Sequence, residues 1–280
     1  MKQKGFVPIF ILLGVIAILI ASCVYYFGTL KNKSQKPFVV PIEEEIPNPF
    51  PYQRPSIPAK HAYITFLVGD SIMAALGRNA NQLRLELLTL YPEHEFVNYN
   101  YGFGATNILT LPKRLNSQTT YRGETFPPII EQIFDLIIFD SFAYNPLSEY
   151  PLEEGLKKQE ETLDKSIKEV IIKHPNSIVA IMTPIAPSLN YFAKGVYELS
   201  PELRKQWAQE RIAYINNVIE FAQKNNIPLI NVYEKSLSAD GQVNLKYINK
   251  NDYIHPSAAG INLISKTIAD FIYQNQIFPE

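Results

Sequence analysis

A serine directly after an apolar stretch is the first residue in the sequence that could carry chemistry. Residues 63–68 are mostly apolar and are followed by Gly69, Asp70 and Ser71. Glycine permits a tight turn, and a serine that begins the next helix exposes its hydroxyl oxygen and directs its own N–H outward at the positive end of the helix dipole. Such a serine can act as the nucleophile in acyl transfer. The alternative is an ordinary helix cap after a strand.

A serine nucleophile also needs a general base, and the chain contains four histidines. His255 differs from the other three because Asp252 precedes it by three residues, in a loop before the last predicted helix. In a turn, this spacing lets Asp252 accept a hydrogen bond from the imidazole and fix its tautomer, which leaves the second ring nitrogen for Ser71. We therefore predict His255 as the general base.

Two further segments could supply the hydrogen-bond donors that a developing oxyanion needs. Gly104 follows the second predicted strand, and its N–H could approach a substrate at the start of a helix. Asn145 follows the third predicted strand, and its side-chain amide could be a second donor. Each residue also has a purely structural interpretation, as a glycine turn and as a turn before proline. Asp140, which ends the third strand, is interpreted as a structural hydrogen-bond acceptor rather than a catalytic acid.

The chain that positions these residues alternates between short apolar runs and stretches with helical periodicity from His61 onward. The apolar runs predict five strands, over residues 63–68, 95–98, 136–139, 178–182 and 229–232. Helices are predicted over residues 81–90, 152–173, 203–225 and 257–273, and a long polar loop over residues 112–128. Strands separated by helices form a parallel sheet with helices on both faces, and such sheets carry their chemistry at the carboxyl ends of the strands. The candidate residues are expected at those ends.

In their order along the chain, these segments resemble the motifs of the SGNH/GDSL hydrolase family. Gly69-Asp70-Ser71, then a glycine, then an asparagine, then Asp252-x-x-His255 follow successive predicted strands, and residues 255–260 are similar to the final motif of that family. The resemblance covers about residues 62–274. It implies an α/β fold, namely a flavodoxin-like three-layer α/β/α sandwich with a five-stranded parallel sheet.

The resemblance also implies a role for each candidate residue. Ser71 corresponds to the nucleophile, His255 to the general base and Asp252 to the residue that orients His255. The oxyanion hole would comprise the Ser71 N–H, the Gly104 N–H and the Asn145 side chain. Neither a metal ion nor an organic cofactor is implied.

Two motifs depart from the family pattern. One residue separates Gly102 from Gly104, so either glycine could donate to the oxyanion, and Gly104 is favoured because Ala105-Thr106 follows it as in the family. The third motif of the family usually reads Gly-x-Asn-Asp, whereas this chain has Ala143-Tyr144-Asn145-Pro146. The asparagine of the motif is therefore present as Asn145, but the residues on either side of it differ from those of the family.

The first 30 residues differ from the rest of the chain in composition. No charged residue occurs between Gly5 and Leu30, and residues 6–27 are nearly all apolar. As a helix, this run of roughly 22 residues would span about 33 Å, which exceeds the hydrocarbon core of about 30 Å. We therefore predict one transmembrane helix as an anchor over residues 1–30. As an alternative, Ile20-Ala21-Ser22-Cys23 resembles a bacterial lipobox, which would make Cys23 a lipidated N-terminus, although the apolar run continues beyond it.

Residues 31–60 are predicted to form a proline-rich stalk, because seven of the 21 prolines fall within them and favour an extended polyproline conformation. The predicted organisation is an anchor or signal segment over residues 1–30, a stalk over residues 31–60 and an SGNH hydrolase-like catalytic domain over residues 61–280. Since the anchor would tether the chain, we expect a single-pass protein of the cell membrane with its catalytic domain outside the cytoplasm.

Composition excludes several other classes of protein. The formal net charge is −1, with 26 basic and 27 acidic side chains, so the chain lacks the basic balance expected of a nucleic-acid-binding protein. A single cysteine allows neither an internal disulfide bond nor a metal cluster held by thiolates. The hydrophobic fraction of 46% suffices for a packed core, which excludes a wholly disordered chain.

Together, these features predict a membrane-tethered serine ester hydrolase. Its substrate would be an acyl ester of a glycan or lipid, and the expected reaction removes acetyl or other short acyl groups from an envelope glycan or related ester through a Ser-His-Asp acyl-enzyme. An O-acyltransferase with the same triad is an alternative, because water and an alcohol attack the same acyl-enzyme. A lysophospholipase or lipase, and a non-catalytic glycan-binding module, are further alternatives.

Overall fold

A computed structural model describes residues 48–279 of the chain. The predicted anchor over residues 1–30, the alternative lipidation site at Cys23 and the part of the predicted stalk before residue 48 lie outside the described residues. Within residues 48–279, no helix combines the length and the apolar character needed to cross a membrane.

A five-stranded parallel sheet forms the centre of the fold, as the sequence predicts. The strands are β1 (Ala62–Gly69), β2 (Glu95–Gly102), β3 (Thr119–Tyr121), β4 (Glu124–Phe126), β5 (Leu136–Asp140), β6 (Ile178–Thr183) and β7 (Leu229–Asn231). The sheet has the order β2-β1-β5-β6-β7 with parallel neighbours throughout, whereas β3 and β4 form a separate antiparallel hairpin. Every residue of β5 and β6 is buried, which is typical of central strands covered on both faces.

Helices cover both faces of this sheet. In chain order they are α1 (Ser71–Ala74), α2 (Asn81–Leu90), α3 (Leu111–Asn116), α4 (Leu152–Lys173), α5 (Pro201–Lys224), α6 (Val232–Lys235) and α7 (Ala258–Gln274). Helices α2 and α7 contribute apolar side chains to one hydrophobic core, and α4 and α5 contribute to a second. Leu67 of β1 lies in the first core and its neighbour Phe66 in the second, because successive strand residues face opposite sides of a sheet. The α/β class with a five-stranded parallel sheet is therefore confirmed.

Residues 48–60, which the sequence assigns to the stalk, pack against the domain. Tyr52 is buried, its N–H donates to the Asn225 carbonyl oxygen at 2.8 Å, and its hydroxyl accepts from the Val179 N–H at 3.0 Å. Ile57 is buried in the first core. The compact unit of the structure consequently begins at Asn48 rather than at residue 61. The prolines favour extended chain, but the apolar side chains between them gain burial on the domain surface.

The region predicted as a polar loop over residues 112–128 contains most of α3 and the β3–β4 hairpin. The hairpin turn consists of Arg122 and Gly123, with φ values of 50° and 80°. These left-handed values are the ones that a two-residue type I′ turn requires. Phe126 of β4 packs on Tyr101 and Phe103, with ring centroids 5.1 and 4.8 Å apart. Strands of three residues are too short to show an alternating pattern, which is why periodicity does not reveal them.

Candidate active site

Ser71 lies at the carboxyl end of β1, where the chain turns directly into α1. Asp70 caps this helix, because its buried carboxylate accepts a hydrogen bond from the Ile72 N–H at 2.8 Å. Ser71 is the first helical residue, and the first N–H groups of a helix have no partner within it. Glycine is required at Gly69, since a β-carbon there would lie 2.6 Å from the β-carbon of Asp140. The strand, turn and helix expected around Ser71 are therefore present.

The two candidate glycines after β2 have different environments. The Gly102 N–H donates to Asn100 Oδ1 at 2.8 Å, and a β-carbon on Gly102 would lie 2.3 Å from the backbone nitrogen of Ala74. Gly102 thus packs against α1, and its N–H is already engaged. Gly104 borders the nucleophile instead, because a β-carbon there would lie 3.5 Å from the Ser71 β-carbon. This geometry favours Gly104 over Gly102 as the glycine of the site.

Asn145 approaches the same place from the carboxyl end of β5. Its Nδ2 donates to Asp70 Oδ2 at 2.9 Å, so one amide hydrogen is bound to the residue directly before Ser71. The second amide hydrogen remains for another acceptor, since a primary amide carries two donors. Asp70 therefore orients both the start of α1 and the Asn145 side chain. As a result, Ser71, Gly104 and Asn145 lie together at the carboxyl edge of the sheet.

A buried cluster of charged groups adjoins this part of the site. Asp70 and Asp140 are completely buried, and burial raises the pKa of both carboxyl groups. The negative charge of Asp70 raises the pKa of Asp140 further. Burial lowers the pKa of the Arg114 guanidinium to about 10, although the charges of Asp70 and Asp140 act in the opposite direction. Two adjacent buried carboxyl groups cannot both ionise readily, so we expect them to share a proton.

The Asp140→Asn variant tests whether the pair holds this proton. Because the pKa of Asp140 is raised on folding, the folded protein keeps a proton that the unfolded chain loses, and the free energy of unfolding falls as pH rises between the two pKa values. Asparagine keeps the Oδ1 atom that accepts from the Ser141 N–H at 2.7 Å and offers Asp70 an amide donor. We expect the variant to be more stable than wild type at about pH 8, by roughly 1–3 kcal/mol, with a smaller difference at about pH 4.

Urea unfolding at several pH values measures this effect. Asp240→Asn, which removes the charge of an exposed loop carboxylate, is the matched control and should follow the wild-type pH dependence. If Asp140→Asn loses the same stability at every pH, the shared proton is ruled out.

Asp252 and His255 are joined by a hydrogen bond between their side chains, in the arrangement that their spacing indicates. Asp252 Oδ2 lies 2.9 Å from His255 Nδ1, and Oδ1 accepts from the N–H groups of Ile254 and His255 at 2.8 and 3.0 Å. Partial burial acts to raise the pKa of Asp252, but these hydrogen bonds outweigh burial and lower it. The ionised carboxylate selects the imidazole tautomer with its proton on Nδ1, so Nε2 is left as an acceptor.

Helix α7 brings the Asp252–His255 loop to the edge of the sheet where Ser71 lies. Beyond α7, Phe278 stacks on Tyr63 near the start of β1 with ring centroids 4.4 Å apart, and the Tyr63 hydroxyl donates to the Pro279 carbonyl oxygen. The end of α7 is thus near the amino end of β1. The 17 residues of α7 span about 25 Å and the 8 residues of β1 about 26 Å, so α7 is long enough to reach from the amino end of β1 to the level of its carboxyl end.

Tyr144 lies within electrostatic range of both halves of the site. It directly precedes Asn145, it is buried, and its hydroxyl donates to the Ile185 carbonyl oxygen at 3.1 Å. Burial raises the pKa of Tyr144, and the negative charges of Asp70 and Asp252 contribute to the same increase. Carboxylates from both halves of the site therefore act electrostatically on one phenol group.

Among residues 48–279, no hydrogen bond joins Ser71 Oγ to His255 Nε2. Hydrogen bonds between catalytic groups are often long or unformed before substrate binds and shorten in the complex. The His255 side chain is 41% exposed, so its ring borders solvent. The structure thus brings Ser71, Gly104 and Asn145 into one group, pairs Asp252 with His255, and places both groups at one edge of the sheet.

Two residues of this region are not among those singled out from the sequence. Buried Arg114 donates to the carbonyl oxygens of Gly69 and Tyr101 at 2.6 and 3.1 Å, and thereby links α3 to the ends of β1 and β2. The Tyr121 hydroxyl accepts a hydrogen bond from the Gly104 N–H at 2.8 Å. Neither residue belongs to a motif or a periodic stretch that would have marked it. Among residues 48–279, no group of three or more His, Cys, Asp or Glu side chains is arranged to hold a metal ion.

Comparison with solved structures identifies several proteins with a similar fold. A GDSL-like lipase from Bacteroides thetaiotaomicron is 13% identical, with a TM-score of 0.51 over 79% of this chain and 92% of that chain. A lipase/acylhydrolase from Enterococcus faecalis is 16% identical, with a TM-score of 0.51 over 76% and 96% of the two chains. The acetyl xylan esterase AlAXEase is 16% identical, with a TM-score of 0.52 over 76% and 98%. No protein-family model and no curated protein matches the chain. The chain therefore has the fold of GDSL-like lipases and esterases.

Proposed function

We propose that this chain is a serine ester hydrolase of the SGNH/GDSL type, in which Ser71 is the nucleophile, His255 the general base and Asp252 the residue that orients His255. One observation carries the proposal: Ser71, Gly104 and Asn145 lie together at the edge of the sheet to which α7 brings the hydrogen-bonded Asp252 and His255. The fold shared with lipases and esterases supports it.

In the first half of the proposed reaction, Ser71 Oγ attacks the carbonyl carbon of the ester while His255 Nε2 accepts the hydroxyl proton. The carbonyl electron pair moves to oxygen, and the oxyanion accepts hydrogen bonds from donors around Ser71, including the second amide hydrogen of Asn145. Asp252 stabilises the imidazolium that has formed. When the intermediate collapses, the bond to the alcohol oxygen breaks, and His255 transfers its proton to that oxygen.

In the second half, water attacks the acyl group on Ser71, and His255 Nε2 accepts a proton from the water. Collapse of the second intermediate breaks the bond between the acyl carbon and Ser71 Oγ. His255 returns the proton to Oγ, so the enzyme is regenerated and a carboxylic acid is released. The exposed position of His255 is consistent with access of water to this step.

We further propose that the acyl group is short, such as an O-acetyl group on an envelope glycan. The Tyr121 hydroxyl borders the space beside Ser71 and Gly104, which favours a small acyl group over a long chain. One protein of similar fold is an acetyl xylan esterase. The apolar run over residues 6–27 supports a tether that would hold the domain outside the cytoplasm, next to such glycans.

A series of p-nitrophenyl esters with increasing acyl length tests the substrate class. We expect the full-length protein to have a kcat/KM for the acetate at least about tenfold above that for the octanoate, and to release acetate from an acetylated glycan. Ser71→Ala serves as the control for background hydrolysis. A preference for long acyl chains would indicate a lipase instead. Transfer of the acetyl group to a glycan hydroxyl in preference to water would identify an acyltransferase.

A further inference from the structure

The N–H of Gly104 is occupied in this structure, although the sequence assigns it to the oxyanion hole. It donates to the Tyr121 hydroxyl with an N···O distance of 2.8 Å. A β-carbon on Gly104 would lie 2.9 Å from that hydroxyl oxygen and 3.5 Å from the Ser71 β-carbon, so the hydroxyl and the nucleophile border the same point. The phenol oxygen therefore occupies the position at Gly104 that a substrate oxyanion would otherwise take.

A direct stack on Phe103, together with contacts that fix Phe103 and the paired strand, holds the Tyr121 ring in this position. The ring stacks on Phe103 with centroids 4.7 Å apart and an interplanar angle of 14°. On the paired strand, Phe126 packs edge-on against the same Phe103 at 4.8 Å. Arg78 forms an ion pair with Glu124 and lies over the Phe126 ring at 5.8 Å, which connects β4 to the segment after α1. These contacts favour a hydroxyl that stays in place over one that swings away.

Phe103, on which Tyr121 stacks, is itself packed against a buried side chain. The Arg114 guanidinium carbon lies 4.4 Å from the centroid of the Phe103 ring. The same guanidinium donates to the carbonyl oxygen of Gly69, two residues before Ser71. The position of the Tyr121 hydroxyl is thus tied to the strand end that carries the nucleophile.

The hydroxyl hydrogen of Tyr121 has no acceptor among residues 48–279. Because the phenol oxygen accepts from Gly104, its own O–H points elsewhere and is available to a substrate. We propose that the Tyr121 hydroxyl, in place of the Gly104 N–H, donates a hydrogen bond to the oxyanion, and that the Gly104 N–H polarises this hydroxyl. The proposal rests on the ester hydrolase function proposed above.

The chemistry of this arrangement requires no extra proton transfer. A phenol that accepts from a backbone N–H is a stronger donor than an isolated phenol, since hydrogen bonds in a chain polarise one another. The oxyanion would accept from Tyr121, Asn145 and the Ser71 N–H. When the intermediate collapses, Tyr121 still carries its proton and is unchanged.

The Tyr121→Phe variant of the full-length protein distinguishes a donor from a residue that merely covers Gly104. Phenylalanine can keep the stack on Phe103, but it removes the hydroxyl and frees the Gly104 N–H. We expect kcat for p-nitrophenyl acetate to fall about 10²-fold with KM changed by less than about twofold, the usual effect of removing one oxyanion donor. An unchanged or increased kcat would overturn the proposal. Tyr99→Phe, at an exposed tyrosine of β2, is the matched control and should retain the wild-type kcat.

The Gly104→Ala variant provides a second measurement. It keeps the backbone N–H but places a methyl group 2.9 Å from the Tyr121 oxygen, which displaces the hydroxyl. We expect a similar loss of kcat, and a double variant with Tyr121→Phe no slower than Tyr121→Phe alone, because both changes remove one interaction. If kcat of the double variant fell by the product of the two single-variant losses, the proposal would be overturned. If thermal unfolding shows that Tyr121→Phe is not folded, a wild-type kcat in Gly104→Ala overturns it.

Comparison of wild type with Ser71→Ala separates this proposal from the proposed function. Equal rates in the two proteins would reject the serine hydrolase itself. A rate that depends on Ser71 but not on Tyr121 would reject only the role assigned to Tyr121.

Discussion

Replacing Ser71 with alanine is expected to reduce kcat for p-nitrophenyl acetate by about 10⁴-fold or more while the protein stays folded. The loss is large because no other group of the proposed mechanism can form the acyl-enzyme. The fold should persist because the cap of α1 comes from the Asp70 carboxylate, which bonds to Ile72 and Asn145 and not to the Ser71 hydroxyl. Steady-state hydrolysis together with urea unfolding measures both properties.

Ser117→Ala is the matched control for this experiment, since it removes the hydroxyl of an exposed serine at the end of α3. It should keep the wild-type kcat. A fluorophosphonate probe should label wild type and Ser117→Ala at Ser71 and should leave Ser71→Ala unlabelled. Hydrolysis by Ser71→Ala at the wild-type rate would reject the assignment.

Asp252→Asn is expected to lower kcat by about 10⁴-fold, the effect known for an orienting carboxylate in a Ser-His-Asp site. Asp252 Oδ1 accepts from two backbone N–H groups, and Oδ2 faces His255 Nδ1 at 2.9 Å. Asparagine can keep the backbone hydrogen bonds through its oxygen, which turns its amide group toward Nδ1. The imidazole would then carry its proton on Nε2, where it can no longer accept one from Ser71.

The stability of the Asp252→Asn variant provides a second readout. Hydrogen bonds hold the pKa of Asp252 below its usual value, so the carboxylate stabilises the wild type above the unfolded-state pKa, and this contribution is lost as pH falls through the lowered value. The variant should lack this acid-dependent loss. Asp240→Asn is the control for a change of charge in an exposed loop. Wild-type kcat in Asp252→Asn would exclude the orienting role.

The fold class can be predicted from the sequence because the apolar runs of the central strands are local and long enough to recognise. Strands β1, β5 and β6 match the predicted runs to within a few residues. Prediction fails for the β3–β4 hairpin, whose strands are too short to show a period. It also fails for residues 48–60, where proline content predicts a stalk although Tyr52 and Ile57 are buried on the domain.

The candidate site is predictable to the extent that its parts are local. Asp252 and His255 are three residues apart, and their hydrogen bond forms within one turn. Gly104 and Tyr121 are 17 residues apart, and their hydrogen bond depends on how the hairpin packs against Phe103. A hydrogen bond between residues close together in the chain can therefore be predicted from the sequence, whereas one that depends on how distant segments pack cannot.

The α/β class follows from the sequence, which also singles out Ser71 and His255 as candidates for nucleophilic attack and proton transfer. Three further features are visible only in the folded protein: Gly104 borders Ser71, Asp70 and Asp140 form a buried pair, and the Tyr121 hydroxyl accepts a hydrogen bond from the Gly104 N–H. Reactivity and periodicity belong to single side chains and short stretches of chain, which is why they can be recognised without the fold. Burial, pKa and the pairing of donors with acceptors depend instead on groups that folding brings together from distant positions.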